Sequence, residues 1–206
     1  MEIKIKDIQK LRKQTSVGIM EAKGALKESS GDFEKAVEIL RKKGFSKIAK
    51  RALKETKEGV ISCYIHPGGR VGAMVELLTE TDFVAKTHDF KNLAYDIAMQ
   101  IAAMDPEYVS VEDIPEDIIK KEKEIEKEKL KKEGKPHFAK ATRGKPENII
   151  EKILEGKLEA FYKQAVLIKQ PFIKDEKKTV EDLISEAVAK LGEKIKIGRI
   201  SRFQIK

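Results

Sequence analysis

Between residues 60 and 101 the spacing of apolar side chains changes from strand-like to helix-like, and this change constrains the fold more than any other feature. Val60 to His66 reads as a strand, Pro67-Gly68-Gly69 as a turn, and Arg70 to Glu80 as a returning strand. Turn residues with φ freedom between two apolar runs signal a β-hairpin. Phe90, Leu93, Ala94, Ile97, Ala98 and Ile101 then recur at the spacing of one helix face. The alanines on that stripe allow the helix to approach the hairpin closely, and Pro106 lies just beyond its expected end. Cys63 falls in the alternating run and is expected to be a buried packing residue. As the one cysteine, it excludes an intramolecular disulfide framework and any multi-thiolate metal site.

The first 55 residues read as three short helices. Ile5, Ile8 and Leu11 mark the first, and the chain breaks near Thr15-Ser16-Val17-Gly18. Ile19, Ala22, Ala25 and Leu26 mark the second, which ends at Ser29-Ser30-Gly31. Asp32 is suited to cap the third, since its carboxylate can accept an orphan backbone N–H. Phe33, Ala36, Val37 and Leu40 share one face of that helix, and Gly44 is expected to stop it. Ser46 to Glu58, rich in Lys and Arg, then reads as a connector.

Glu116 to Glu133 is dense in Lys and Glu, with Ile118, Ile119, Ile125 and Leu130 as its apolar anchors. A solvated helix with a thin apolar stripe is expected, since too few heptads are present for a coiled coil. Gly134-Lys135-Pro136 recurs as Gly144-Lys145-Pro146 around a surface loop. Ile149 to Ala165 reads as a further helix, and Gln170-Pro171-Phe172 as a break after it. Thr179 and Asp182 form a variant capping box before a helix that runs to Leu191 and stops at Gly192. Ile195, Ile197, Phe203 and Ile205 suggest a final strand, with Gly198 as a bulge. The expected class is α+β: a helical module over residues 1–55, then a core over residues 56–206 with a small antiparallel three-stranded sheet covered by helices.

The net charge of +8 and pI near 9.3 raise a nucleic-acid-binding reading, for which Lys47 to Lys57 is the basic stretch. Such binding would weaken steeply with salt, so a mobility shift with tRNA or duplex DNA tests it. Yet 43 basic residues are interspersed with 35 acidic ones, the pattern of solvated helix faces. Aromatic residues are 6% with no Trp, which leaves little for base stacking. The Lys- and Glu-rich composition also suits a protein that works hot. No stretch approaches the roughly 20 apolar residues of a membrane span, and Met1-Glu2-Ile3-Lys4 lacks the apolar core of a signal peptide. A cytoplasmic location is expected.

Bond-making chemistry finds no support. His66, His88 and His137 are scattered, without metal-ligand spacing. Gly68, Gly69 and Gly72 do not follow a dinucleotide pattern, and no phosphate loop or nucleophile elbow occurs. No catalytic residue, metal or cofactor is expected.

Specificity comes instead from the segment after the hairpin. Thr81-Asp82-Phe83-Val84-Ala85-Lys86 resembles the signature of the elongation factor Ts family, the nucleotide-exchange factors of the GTPase elongation factor Tu. Leu11-Arg12, Thr15, Gly18, Met20, Lys23, Ala25-Leu26, Gly31-Asp32, Ala36 and Leu40 are similar to that family's N-terminal module. Lys145-Pro146-Glu147, Ile149, Glu151-Lys152, Glu155-Gly156 and Gln170-Pro171-Phe172 resemble its C-terminal half. The resemblance implies a ubiquitin-associated-like three-helix bundle at the N-terminus. It also implies that Phe83 wedges beside the nucleotide site of the GTPase, while Asp82, with Thr81 and Val84, helps displace the bound Mg²⁺. On the hexad alone Phe83 could equally be core; the resemblance along the chain assigns it to the partner. Lys23 is implied to touch the nucleotide domain of the GTPase, its alternative being a solvated helix charge. Leu11 and Met20 read first as bundle core and second as partner contacts.

Long members of the family carry two similar core halves, whereas this chain has one hairpin-plus-helix unit. Its likeness to the short, single-core form implies a homodimer. Pro136 to Gly144 looks inserted relative to the family.

Overall fold

The computed structural model describes residues 4–15, 17–51, 53–132 and 147–206. The Gly134–Pro136 repeat, the Pro136 to Gly144 insertion and Lys145-Pro146 lie outside the described residues. Two compact units emerge, one running up to Ala103 and rejoined by Glu181–Lys206, the other comprising Met104–Val180.

The first unit opens with helices α1 (Ile5–Thr15), α2 (Ile19–Glu28) and α3 (Phe33–Arg51). Ile8, Leu11, Val17, Ala22, Ala25, Leu26, Ala36 and Leu40 form their common core, with Phe33 and Val37 packed against it. Asp32 caps α3 as expected, its Oδ1 accepting from Lys35 N at 3.1 Å. Gly44 does not stop α3, which continues to Arg51. A glycine ends a helix when the chain turns left-handed there, and Ser46–Arg51 instead supplies residues that sustain the helix.

Strands β1 (Glu58–Ile65) and β2 (Val71–Thr79) form the expected hairpin, and β5 (Ile195–Gln204) joins the other edge of β2, giving the antiparallel order β1-β2-β5. The register fixes the two faces. Val75, Leu77, Ile195 and Ile197 turn inward and are buried. Helix α5 (His88–Met104) buries Phe90, Leu93, Ala94, Ile97, Ala98 and Ile101, the stripe read from the sequence. Its end is tied to the sheet by Arg202 Nε, which donates to Ala102 O at 3.0 Å. Opposite Glu76, β5 carries one residue more than β2: Val75 pairs with Ile200 and Leu77 with Ile197. The bulge falls at Gly198, where a Cβ would collide with the Glu76 carboxylate.

Cys63 is exposed, contrary to the expectation of burial. Both parities of β1 carry apolar residues, so alternation alone could not say which faced the helix. Val60, Ser62 and Tyr64 turn inward, and Ile61, Cys63 and Ile65 turn out.

In the second unit, helices α6 (Glu116–Lys132) and α7 (Glu147–Ala165) pack together, with Leu154 and Leu158 buried. Gln170 is fully buried; its Nε2 donates to Gln164 O at 2.8 Å, so it is an anchor as well as a break. Beyond it β3 (Pro171–Phe172) and β4 (Asp175–Thr179) form a two-stranded ribbon that sequence patterning did not suggest. Asp-Glu-Lys-Lys-Thr lacks the apolar alternation that marks a strand. Helix α8 (Val180–Leu191) leads back to β5 and ends at Gly192, whose φ of +77° is the left-handed stop expected there.

Candidate functional site

The chain leaves β2 through Glu80 and enters α4 (Asp82–Ala85), a single helical turn. Thr81 is extended (φ −128°, ψ 154°) and caps α4, its hydroxyl accepting from Val84 N at 3.5 Å. Ala85 is buried and seats the turn, which packs on β1 and β2. Thr87 ends the segment. Its Oγ1 donates to Val84 O at 2.7 Å and accepts from Phe90 N at 3.3 Å, so it caps α5 in turn.

Phe83 stands at the head of this turn with 81% of its surface exposed. The core reading of Phe83 is therefore excluded. The ring leaves apolar surface in water that is still to be buried. Beside it Asp82 pairs with Lys86, Nζ to Oδ2 at 2.5 Å. The Lys86 hydrogen bond holds the Asp82 carboxyl below the usual range, and Asp82 raises the Lys86 ammonium in return. Asp82 is thus an anion with one oxygen already engaged.

The base of the turn is clamped from two sides. Glu193, directly after the glycine stop of α8, accepts three hydrogen bonds: from Thr79 Oγ1 at 2.9 Å, Thr81 N at 3.0 Å and Thr81 Oγ1 at 2.7 Å. Glu80 accepts from Lys194 N at 2.7 Å and from Arg51 Nη1 at 2.6 Å. Burial pushes the Glu80 carboxyl up, but Lys194 N and the Arg51 guanidinium outweigh it and leave the group below its ordinary value. The Nζ of Lys194 also donates to Lys54 O at 2.9 Å, so the chain just past α3 is held to the same corner.

Thr81, Asp82, Phe83 and Val84 are therefore gathered in one turn. The N-terminal candidates are placed differently. Leu11 is fully buried in the bundle core. Met20 is 78% exposed, which overturns its first reading as core, and Lys23 is exposed on the same helix. Met20 starts a helix whose packing falls to Ala22, Ala25 and Leu26, so its side chain is left on the solvent side. Sequence reasoning missed Glu193, Glu80, Arg51 and Lys194. The available signal was Thr79 and Thr81, two hydroxyls of one parity at a strand end, which call for a shared acceptor.

Among the described residues no group of three or more His, Cys, Asp or Glu side chains could hold a metal ion, and no helix is long and apolar enough to cross a membrane.

This is a scaffold that fixes one short turn and holds an aromatic side chain out from it. The family model of elongation factor TS matches residues 4–206, and the chain belongs to that family. It is 51% identical over 205 residues to elongation factor Ts of Fervidobacterium nodosum, covering 100% of this chain and 99% of that one. Elongation factor Ts of Thermotoga maritima is likewise 51% identical over 205 residues, with 100% and 97% covered. That of Moorella thermoacetica is 50% identical over 199 residues, with 97% and 93% covered. The protein is accordingly a translation elongation factor, acting in protein biosynthesis.

Proposed function

We propose that the protein is a guanine-nucleotide exchange factor that binds elongation factor Tu in the cytoplasm and promotes GDP release by inserting the Phe83 turn beside the nucleotide site. The observation that carries this is the 81% exposure of Phe83 on a turn whose base is fixed by Glu193. Insertion of a ring needs both features: apolar surface still to be buried, and a mount that does not yield. Phe83 enters the GTPase; Asp82, with Thr81 and Val84 beside it, disturbs the coordination of the Mg²⁺ held there. Loss of that cation leaves the diphosphate charge unneutralised, and the nucleotide departs. No covalent bond changes, so the protein works by differential binding and is not an enzyme in the bond-making sense.

Linkage makes the effect reciprocal: a factor that weakens GDP binding is itself bound more weakly when GDP is present. A thousandfold weakening corresponds to about 4 kcal/mol of coupling, within reach of one well-buried aromatic anchor and its surroundings. Residues 1–55 serve as a second contact module, in which Lys23 and Met20 are the exposed candidates and Leu11 supports them from the core. The core over residues 56–206 also pairs two copies. Ile61, Cys63, Ile65, Met74 and Phe203 lie exposed on one face of the three-stranded sheet, the face away from the buried Val75 and Leu77. A sheet with an apolar outer face is completed by a second layer, which another copy supplies. No direct nucleic-acid contact is part of this reading.

The test is stopped-flow release of fluorescent GDP from elongation factor Tu, with the protein and with its Phe83→Ala variant. Strong acceleration by the unaltered protein that falls at least about tenfold in the variant is expected. Absence of acceleration by the unaltered protein would refute the function; equal acceleration by both would move the mechanism away from Phe83.

A further inference from the structure

Glu193 lies one residue beyond the left-handed Gly192 that ends α8, and two residues before Ile195, which pairs with Thr79 as β5 begins. The sharp reversal at Gly192 places the Glu193 carboxylate under the turn that carries Phe83. Its Oε2 takes the fully buried Thr79 hydroxyl and the Thr81 N–H, and its Oε1 takes the Thr81 hydroxyl. These contacts commit the Thr81 hydroxyl proton to Glu193, so that the oxygen lone pairs face Val84 N. The Thr81 cap is thereby oriented before any partner arrives, and Phe83 lies between that cap and the N–H it receives.

From this geometry we infer that Glu193 is a positioning residue for nucleotide exchange: it presets the Thr81–Val84 turn so that Phe83 is presented in one orientation. The inference rests on the exchange reading above. Removing the carboxylate leaves Thr81 N–H and the buried Thr79 hydroxyl without their acceptor and frees the Thr81 hydroxyl to rotate. The turn then samples several orientations, and only a fraction of encounters place the ring correctly. The loss falls on the exchange step of the complex, since Glu193 need not touch the GTPase and the remaining contact surface is unchanged.

The experiment measures GDP release from elongation factor Tu as a function of factor concentration for the unaltered protein, Glu193→Ala and Glu193→Gln. For Glu193→Ala the saturating rate is expected to fall about tenfold while the half-saturating concentration moves less than about twofold. Glu193→Gln keeps one carbonyl oxygen as acceptor and is expected to recover to within about threefold of the unaltered rate. A second readout needs no GTPase. The chain has no Trp, so Phe83→Trp introduces a single indole, and time-resolved anisotropy reports its motion. Adding Glu193→Ala to Phe83→Trp is expected to enlarge the fast-depolarising fraction. Failure of the unaltered protein to accelerate release would overturn the exchange reading, with the anisotropy still deciding whether Glu193 orders the turn. An unaltered saturating rate and unaltered anisotropy in Glu193→Ala would overturn the inference. Should circular dichroism show that Glu193→Ala does not fold, the same two measurements on Glu193→Ser, whose side chain is too short to reach Thr81, decide, and no change in both overturns the inference.

Discussion

Arg51, the last residue of α3, donates Nη1 to Glu80 Oε1 at 2.6 Å, and Glu80 is the residue that joins the central strand to the Phe83 turn. A guanidinium–carboxylate pair therefore links the N-terminal helices to the base of the turn, partly shielded from solvent on the carboxylate side. The backbone N–H of Lys194 completes the acceptor's company.

That pair gives a pH signature. The Glu80 carboxyl is lowered in the folded protein, so between its folded and unfolded values the unfolded chain binds more protons. The contribution is fully present above the unfolded glutamate value, about 4.3, and is lost as pH falls through the folded one. Urea unfolding should show Glu80→Gln less stable than the unaltered protein by a constant margin at pH 7 and pH 5. The margin should shrink below about pH 4. A margin independent of pH would refute the assignment.

Phe83→Ala should leave stability within about 0.5 kcal/mol of the unaltered protein, because the ring is already in water. Thermal or urea unfolding checks this alongside the exchange assay. A loss of several kcal/mol would mean that the ring is packed after all.

Gly198→Val should cost about 1–2 kcal/mol through overpacking, since its side chain meets the Glu76 carboxylate that accepts from Arg199 N and Nε, each at 3.2 Å. The mechanism predicts a coupling: in a Glu76→Ala background the same substitution should cost less. A double-mutant cycle by urea unfolding measures it, and additive effects would place the strain elsewhere.

Met74→Glu and Phe203→Glu put charges on the exposed apolar sheet face. Light scattering at micromolar concentration should give twice the 23.3 kDa chain mass for the unaltered protein and the single-chain mass for the paired substitution. A single-chain mass for the unaltered protein would refute the dimer.

The hairpin, α5 and the bulge at Gly198 were legible in the sequence because each is written in local pattern: turn residues between apolar runs, a helical stripe, a glycine within a strand. The Phe83 turn was legible only through family resemblance. Four features escaped for definable physical reasons. Gly44 carries the signal of a stop, but a glycine stops a helix only where the backbone turns left-handed, and the helix-sustaining residues Ser46–Arg51 carry α3 past it. The face taken by Cys63 depends on which side of β1 the helix covers, a tertiary choice that alternation does not encode. The β3–β4 ribbon is polar and short, held in part by its neighbour Gln170, whose O accepts from Val180 N at 3.1 Å. The clamp unites Arg51, Glu80 and Glu193, which are remote in sequence, and no periodicity links them.

Within the three-stranded sheet, β2 alone is bonded along both edges, and it runs straight into the turn that holds Phe83. Mechanically, the ring is a peg at the end of a beam laminated on either side. A push against it along the strand loads two hydrogen-bond ladders in shear, which must slip together before the peg recoils.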